Sequence, residues 1–356
     1  MGASGFIASK ISTKGHLAMV CVAVSFLVMI VAVAVSSGFR TEIRNGISDV
    51  SGDVQLIPIS QDYISENSSI GRTPDYLPHI EELPQVQSVN PVVYRAGLIR
   101  HDENIHGVLF KGVENPADTA SLAVSIPRRL STMLGLEVGD DMTTYFISDR
   151  VKARKFHVAS VYDGLVDSQD KLVVIASMDD MQRLNGWDED EISAFEIKVH
   201  PAFRTKRMLS EIEQEVGFIS SSYLSEDDDT VYASSSISSY PQMFDWLDLI
   251  DFNVVFILIL MTIVAGFNMI SGLLIMLFEN ISTIGLLKAL GMKDRDISKV
   301  FLISSSKIVL KGMFAGNLLA ILFCIIQSTT HLLKLPPQNY FVSFVPVHLN
   351  IGVVLA

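Results

Sequence analysis

Cysteine is nearly absent: two residues in 356, Cys21 and Cys324, both inside apolar runs. No CxxC, CxxCH or Cys/His metal spacing occurs, which excludes a disulfide scaffold, a zinc finger and a c-type haem. No GxxxxGKS/T is present, so ATP is not expected on a P-loop of this chain. GxSxG, HExxH and an EF-hand loop are missing too, leaving no catalytic constellation to build on. Charge is scarce at 19% of residues, against 49% hydrophobic. Together these absences argue against an ordinary soluble enzyme.

The apolar residues gather in blocks long enough to span a bilayer, about 20 residues at 1.5 Å each. The first, Leu17 to Ser36, carries no charge and follows Lys10 and Lys14. It exceeds the roughly 7–15 apolar residues of a signal peptide and reads as a retained anchor. The second runs Val254 to Leu277, and the third Ile308 to Gln327 with Lys307 and Lys311 at its start. A fourth run opens at Ile351 and is expected to be the beginning of a truncated fourth span. The expected plan is a cytoplasmic surface segment over 1–16, spans over 17–36, 252–278 and 305–327, and the fourth helix from 351–356. Between them lie an exterior domain over 37–251, a cytoplasmic segment over 279–304 and an exterior loop over 328–350.

Orientation follows from charge. Residues 278–311 carry six basic residues against three acids, and residues 1–16 carry lysines alone. The positive-inside rule puts both on the cytoplasmic side. Residues 37–251 hold 18 basic and 36 acidic residues, so the net negative charge of the chain lies entirely on the exterior domain. That fits a solvated surface and disfavours nucleic acid, which like charge repels.

The exterior stretch reads as a mixed α+β domain. Val54 and Leu56 alternate with Asp53 and Gln55 as a short strand ending before Pro58. Strands are expected at Val86–Ile99, Ile105–Val113, Met142–Ile147, Lys155–Val161, Lys171–Ile175 and Ser193–Val199. Helices are expected at Leu77–Leu83, from Pro127 through Leu134, at Met178–Leu184 and at Ala202–Val216. Phe39, Ile43 and Ile47 continue the first span as a helical stalk, and Tyr240 to Leu249 forms its returning counterpart, with Phe244 and Trp246 suited to an interface. His101 and His106 fall on a hairpin arm and read as exposed loop histidines. Asp227-Asp228-Asp229 reads as a solvated loop.

Between spans two and three, Ser282 is expected to cap a short amphipathic helix that presents Ile284, Leu287 and Lys288 and stops at Gly291. Gly312 and Gly316 form a GxxxG in span three, suited to close helix packing.

Several stretches carry a family likeness: FIASKI (Phe6–Ile11), VAVAVSSGFRTEI (Val31–Ile43), SIPRRLSTMLGLEVGD (Ser125–Asp140) and VYDGLVDSQDKLVVIASMDDMQRLNGW (Val161–Trp187). So do YPQMFDWLDLID (Tyr240–Asp251), NMISGLLIMLFEN (Asn268–Asn280), IGLLKALGM (Ile284–Met292) and LPPQNYFVSFVPVHLN (Leu335–Asn350). The chain resembles the permease subunits of lipoprotein-releasing (Lol) ABC transporters, in the FtsX/MacB-like permease superfamily. The resemblance implies a membrane protein: an α-helical transmembrane bundle with a large α+β extracytoplasmic domain of the MacB-like periplasmic type between spans one and two. It implies a multi-pass protein of the bacterial inner membrane with a cytoplasmic N-terminus. The implied partners are a cytoplasmic ABC ATPase, which would hold the ATP and Mg, a second permease subunit, an acylated lipoprotein substrate, a periplasmic lipoprotein carrier and membrane lipid. No cofactor is expected on this chain, and the work is mechanotransmission without covalent chemistry.

By resemblance, the ATPase-coupling residues are Ile284, Gly285, Leu287, Lys288, Ala289 and Gly291. Val31, Val35 and Phe39 on span one, with Phe256, Leu260, Ile263 and Phe267 on span two, are the expected acyl-chain cavity. Two departures stand out. The family has four spans, and Asn280 follows Glu279 where relatives often carry a cation. Permeases of the same superfamily that export peptides or control cell-wall hydrolases are the alternatives.

Overall fold

The computed structural model describes residues 16–348, apart from 61–63, 65, 102–103, 117–119, 148–150, 164–171, 227, 337–339 and 341. The surface helix expected before residue 16 and the fourth apolar run therefore lie outside the described residues. Contacts divide the chain into a helical unit (up to 41, 246–335 and from 344) and a sheet unit (42–245 and 336–343).

Among the described residues three helices are long and apolar enough to cross a membrane: α1 (His16–Ser51), α7 (Pro241–Glu279) and α9 (Asp294–Thr330). Each continues beyond its apolar block. The stalk periodicity Phe39–Ile43–Ile47 falls on buried positions of α1, as an apolar stripe on an amphipathic extension should. In the helical unit α9 packs onto α1 through the expected small residues. A Cβ on Gly312 would lie 2.8 Å from the Met19 carbonyl oxygen, and one on Gly316 would press onto the Ala23 carbonyl oxygen.

The stretch after α9 is organised by one side chain, the buried Gln327. Its amide nitrogen donates to the carbonyls of Leu333 (3.4 Å) and Val345 (3.1 Å), and its oxygen accepts from the Leu333 N–H at 3.1 Å. His331 stacks on Phe344, ring centroids 3.9 Å apart. The same stretch lies against α1. The His348 N–H donates to the Ala34 carbonyl at 3.0 Å, and a Cβ on Gly38 would fall 2.7 Å from the Val347 nitrogen.

The sheet unit is built on one strand, β3 (Val86–His101), 16 residues long. The others are β1 (Val54–Pro58), β2 (Ile70–Gly71), β4 (Asn104–Val113), β5 (Ala123–Pro127), β6 (Asp141–Phe146), β7 (Lys152–Tyr162), β8 (Val173–Ser177), β9 (Glu191–Ile192), β10 (Ala194–Val199) and β11 (Val231–Ser235). The later half of β3 pairs with both β4 and β6, which closes the ring β3–β4–β8–β5–β7–β6. Phe110, Phe146 and Phe156 fill the ring interior, centroids 5.0–6.1 Å apart. The first half of β3 pairs with β10, and β1 and β11 extend the sheet from there. The helices α2 (Leu77–Glu81), α3 (Arg128–Leu134), α4 (Met178–Asn185), α5 (Lys206–Ser222) and α6 (Ser236–Ser239) complete the unit.

One expectation for β1 changes. Pro58 belongs to the strand, as its last residue opposite Val231, a terminal position where a missing N–H is tolerated. The polar residues of the alternation are bonded internally. Gln55 is buried and donates to the Tyr94 hydroxyl at 3.0 Å. Asp53, also buried, accepts from Ser48 Oγ (2.9 Å), the Val199 N–H (2.8 Å) and Arg204 Nε (3.0 Å). Burial nonetheless pushes the Asp53 carboxyl above its usual range. The sign follows: a raised folded value favours the folded state at low pH, and that contribution fades as pH rises through it. The fourth helix expected at Ala202–Val216 begins later, at Lys206, where the Thr205 hydroxyl caps the Met208 N–H. The strands β2, β5, β9 and β11 are additions to the expected set.

The last turn of α1 is fastened into this unit. Lys111 Nζ, on β4, donates to the Val50 carbonyl and to Glu196 Oε2, both at 2.7 Å. Glu196 also accepts from the Tyr94 hydroxyl. A lysine at a helix C-terminus satisfies orphan carbonyls and opposes the negative end of the dipole. Lys198 reaches Asp49 at 2.9 Å, and Arg204 Nη1 reaches Asn45 at 2.9 Å.

Candidate functional site

The connection between α7 and α9 is the first candidate. α7 stops at Glu279, and Asn280 turns its amide back to the Met276 carbonyl at 2.8 Å. A separate helix, α8 (Ile281–Ala289), follows, with Asn280 rather than Ser282 in the N-cap position and no side-chain cap bond. Its end is a Schellman stop: Gly291 donates to the Lys288 carbonyl (2.9 Å) and Met292 to the Leu287 carbonyl (3.0 Å). Gly291 sits at φ +85°, in the left-handed region that suits glycine. α9 then opens with Asp294 and Asp296, acids at the positive end of its dipole.

α8 is apolar on both sides, which corrects the expected amphipathic face. Ile284 and Leu287 pack inward with Met292 against Met276, Ile297 and Phe301, so they anchor the helix rather than present it. The outward face carries Ile281 (62% exposed), Leu286 (61%) and Leu290 (76%). Gly285, Lys288, Ala289 and Gly291 are exposed alongside. Lys288 pairs with Asp294 at 2.9 Å, an exposed pair worth little by itself.

The α1–α7 seam is the second. Phe256, Leu260, Ile263 and Phe267 form one stripe along α7 and are all exposed, from 46% to 68%. Val31 and Val35 are half-buried on α1. Phe39 departs from the expected cavity: it is buried, edge-to-face on Trp246 with centroids 5.6 Å apart, and so closes the seam instead of lining it. One helical turn inward of that contact is a group not expected from the sequence. Asp251 of α7 accepts from Ser36 Oγ at 2.9 Å and pairs with Arg40. The signal for it is in the chain, since Arg40 and Asp251 are the charged residues next to the ends of the first and second apolar blocks. An open apolar recess of about 520 Å³ also occurs between α7 and α9, lined by Met269, Leu302, Ile303, Ser306, Val309 and Leu310.

The histidine and aspartate candidates have structural settings. His106 lies opposite Ile99 on the β3–β4 hairpin. The aspartate loop is not simply solvated: Asp228 accepts from the N–H groups of Asp75 and Ser225, and Asp229 from that of Gly71. It holds the 71–76 turn in place. Among the described residues no group of three or more His, Cys, Asp or Glu is placed to hold a metal ion.

Comparison with known proteins bears out the family likeness. Residues 255–356 match the family described as FtsX-like permease C-terminal. The lipoprotein-releasing system transmembrane protein LolC of Xylella fastidiosa (strain Temecula1) is 22% identical over 358 residues, covering 92% of this chain and 83% of that protein. The lipoprotein-releasing system transmembrane protein LolE of Haemophilus influenzae is 21% identical over 365 residues, with the same coverage of 92% and 83%. Among solved structures, the periplasmic region of MacB from Actinobacillus actinomycetemcomitans aligns over 57% of this chain and 98% of its own, at 11% identity and a TM-score of 0.33. The extracellular domain of the transporter YknZ from Gram-positive bacteria aligns over 51% and 99%, at 9% identity and a TM-score of 0.32.

Proposed function

Taking residues 255–356 as an FtsX-like permease domain, we propose that this chain is the transmembrane permease of an ABC transporter that extracts acylated lipoproteins from the inner membrane and passes them to a periplasmic carrier. The observation that carries the reading is similarity to LolC and LolE proteins along 92% of the chain. The physics supports it. Each buried CH₂ holds a lipid anchor by about 0.8 kcal/mol, so a long acyl chain is worth on the order of 10 kcal/mol and does not leave unaided. Work must come from outside this chain, from an ATPase with ATP and Mg.

In this reading α8 is the docking element. Its outward residues Ile281, Leu286 and Leu290, together with Gly285, Lys288, Ala289 and Gly291, enter a cleft on the ATPase. Ile284 and Leu287 pass the displacement to α7 and α9 through the Met276–Ile297–Phe301 cluster. The α7 stripe Phe256, Leu260, Ile263 and Phe267, opposite Val31 and Val35, shelters acyl chains. A second permease subunit, identical or paralogous, completes the cavity, and the sheet unit meets the carrier on the periplasmic side. ATP-driven closure is transmitted along α1 and α7, both of them unbroken helices.

Purification from native membranes in mild detergent, with mass spectrometry of proteins and lipids, tests the reading. An ATPase together with acylated lipoproteins is expected. An ATPase with a wall hydrolase or an efflux partner, and no acylated cargo, would replace the substrate. The docking face has its own test. Leu286→Asp with Leu290→Asp should cut ATPase co-purification at least tenfold, because two exposed apolar contacts become unpaired charges at an interface. The same pair of changes should leave the fold intact, since neither side chain is packed in the protein itself. Undiminished co-purification would move the docking surface elsewhere.

A further inference from the structure

At the level of Ser36 to Arg40, α1 is held on two sides. One side is occupied by the stretch after α9: the Ala34 carbonyl accepts from His348, and Gly38 is pressed by the Pro346–Val347 backbone. That stretch is itself pinned to α9 by Gln327. Further along, Gly312 and Gly316 hold α9 against the α1 backbone at Met19 and Ala23. α1 and α9 are thus joined at two separate levels of α1 by contacts to backbone, which cannot rotate aside. The other side of α1 meets α7 through side chains: Ser36 Oγ on Asp251 at 2.9 Å, Arg40 on the other Asp251 oxygen, and Phe39 on Trp246. Side-chain ties of this kind break and re-form without disturbing a helix. The apolar stripe of α7 lies on the inward side of them, uncovered.

We propose that Asp251, with Ser36 and Arg40, is a polar latch that closes the α1–α7 seam, and that it must open in every transport cycle for cargo to pass between α7 and the fixed α1–α9 pair. This rests on the permease reading above. The chemistry suits a reversible gate. Arg40 and Asp251 are 41% and 35% exposed, so water can take over their hydrogen bonds when the pair separates. A fully buried pair would lack that exchange and resist opening.

The test locks the latch. Ser36→Cys and Asp251→Cys are introduced into a chain carrying Cys21→Ser and Cys324→Ala, and the complex with its ATPase is oxidised in membranes with copper phenanthroline. The two positions should cross-link. The locked complex should release acylated protein, and hydrolyse ATP, at least tenfold more slowly than the reduced one, with dithiothreitol restoring both. A structural role alone would not give recovery on reduction. Failure to cross-link would overturn the contact. A fully cross-linked complex working at the reduced rate would overturn the gate. If the parent complex hydrolyses ATP but releases nothing acylated, the cargo reading fails, and unchanged hydrolysis on locking would still refute the latch.

Discussion

Gly316→Leu should reduce the amount of folded protein in membranes by tenfold or more, and Gly312→Leu should do nearly as much. The atoms that a new side chain meets are not flexible. A Cβ on Gly316 would press on the Ala23 carbonyl and lie 3.1 Å from the Ala23 Cα. At Gly312 it would meet the Met19 carbonyl at 2.8 Å and Val22 at 3.0 Å. Overpacking typically costs about 1–3 kcal/mol when side chains can shift. Here whole helices must part, so the cost sits at or above that range, and the close approach that holds transmembrane helices together is lost. Membrane accumulation and thermal aggregation in detergent would measure it. A variant that accumulates and melts like the parent would show that α1 and α9 tolerate separation.

Lys111→Met should destabilise the sheet unit by about 3–5 kcal/mol, the usual result of removing one partner of a buried ion pair. Glu196 would be left 2% exposed with, among the described residues, the Tyr94 hydroxyl in place of a counter-charge. Total stabilities are of order 5–15 kcal/mol, so a single change of this kind endangers the fold. Adding Glu196→Leu should recover much of the loss, because the orphaned charge goes with it. Activity should not follow. The double variant still lacks the lysine that holds the Val50 carbonyl, so the last turn of α1 is no longer fastened to β4. Under the proposed function, release of acylated cargo should stay low although denaturation by urea looks nearly normal. Matching recovery of stability and release would remove the fastening from the mechanism.

Much of the helical unit is legible in the sequence, because apolar blocks about one bilayer long are a strong signal and the GxxxG spacing has a direct steric meaning. The stop of α8 at Gly291 is equally legible. Its inner and outer faces are not, since Ile281, Ile284, Leu286, Leu287 and Leu290 are alike in composition and only packing against Met276, Ile297 and Phe301 sorts them. Phe39 shows the same limit: an aromatic in a seam can line it or shut it, and Trp246, far along the chain, decides. In the sheet unit the alternation at Asp53 and Gln55 identifies a strand but not what the two polar side chains meet. The structure satisfies both side chains internally, through Ser48, Arg204 and Tyr94; Ser48 is a near neighbour in sequence, but Arg204 and Tyr94 are remote and only the fold brings them in. The aspartate loop differs from a solvated run for the same reason, because its partners are backbone N–H groups and any residue type supplies those.

The ring of strands sets a timetable. Val54 has nothing to pair with until Ile197 and Ser235 have been made and moved to the same compartment. Leu98 can join β4 early, but its bonds to Tyr145 close the ring only after the intervening chain has arrived. Sheets dominated by such distant partners fold slowly, since loop closure precedes the contacts that reward it. During that interval β1 offers unpaired edges, the state most open to proteases and to pairing with another chain. Once the ring is shut, the nine-stranded sheet still ends at β11, and there Glu213 of α5 already occupies the Ser235 N–H. The domain is therefore most vulnerable while it is being made, and a cell short of folding help outside the membrane should lose this protein during synthesis rather than in service.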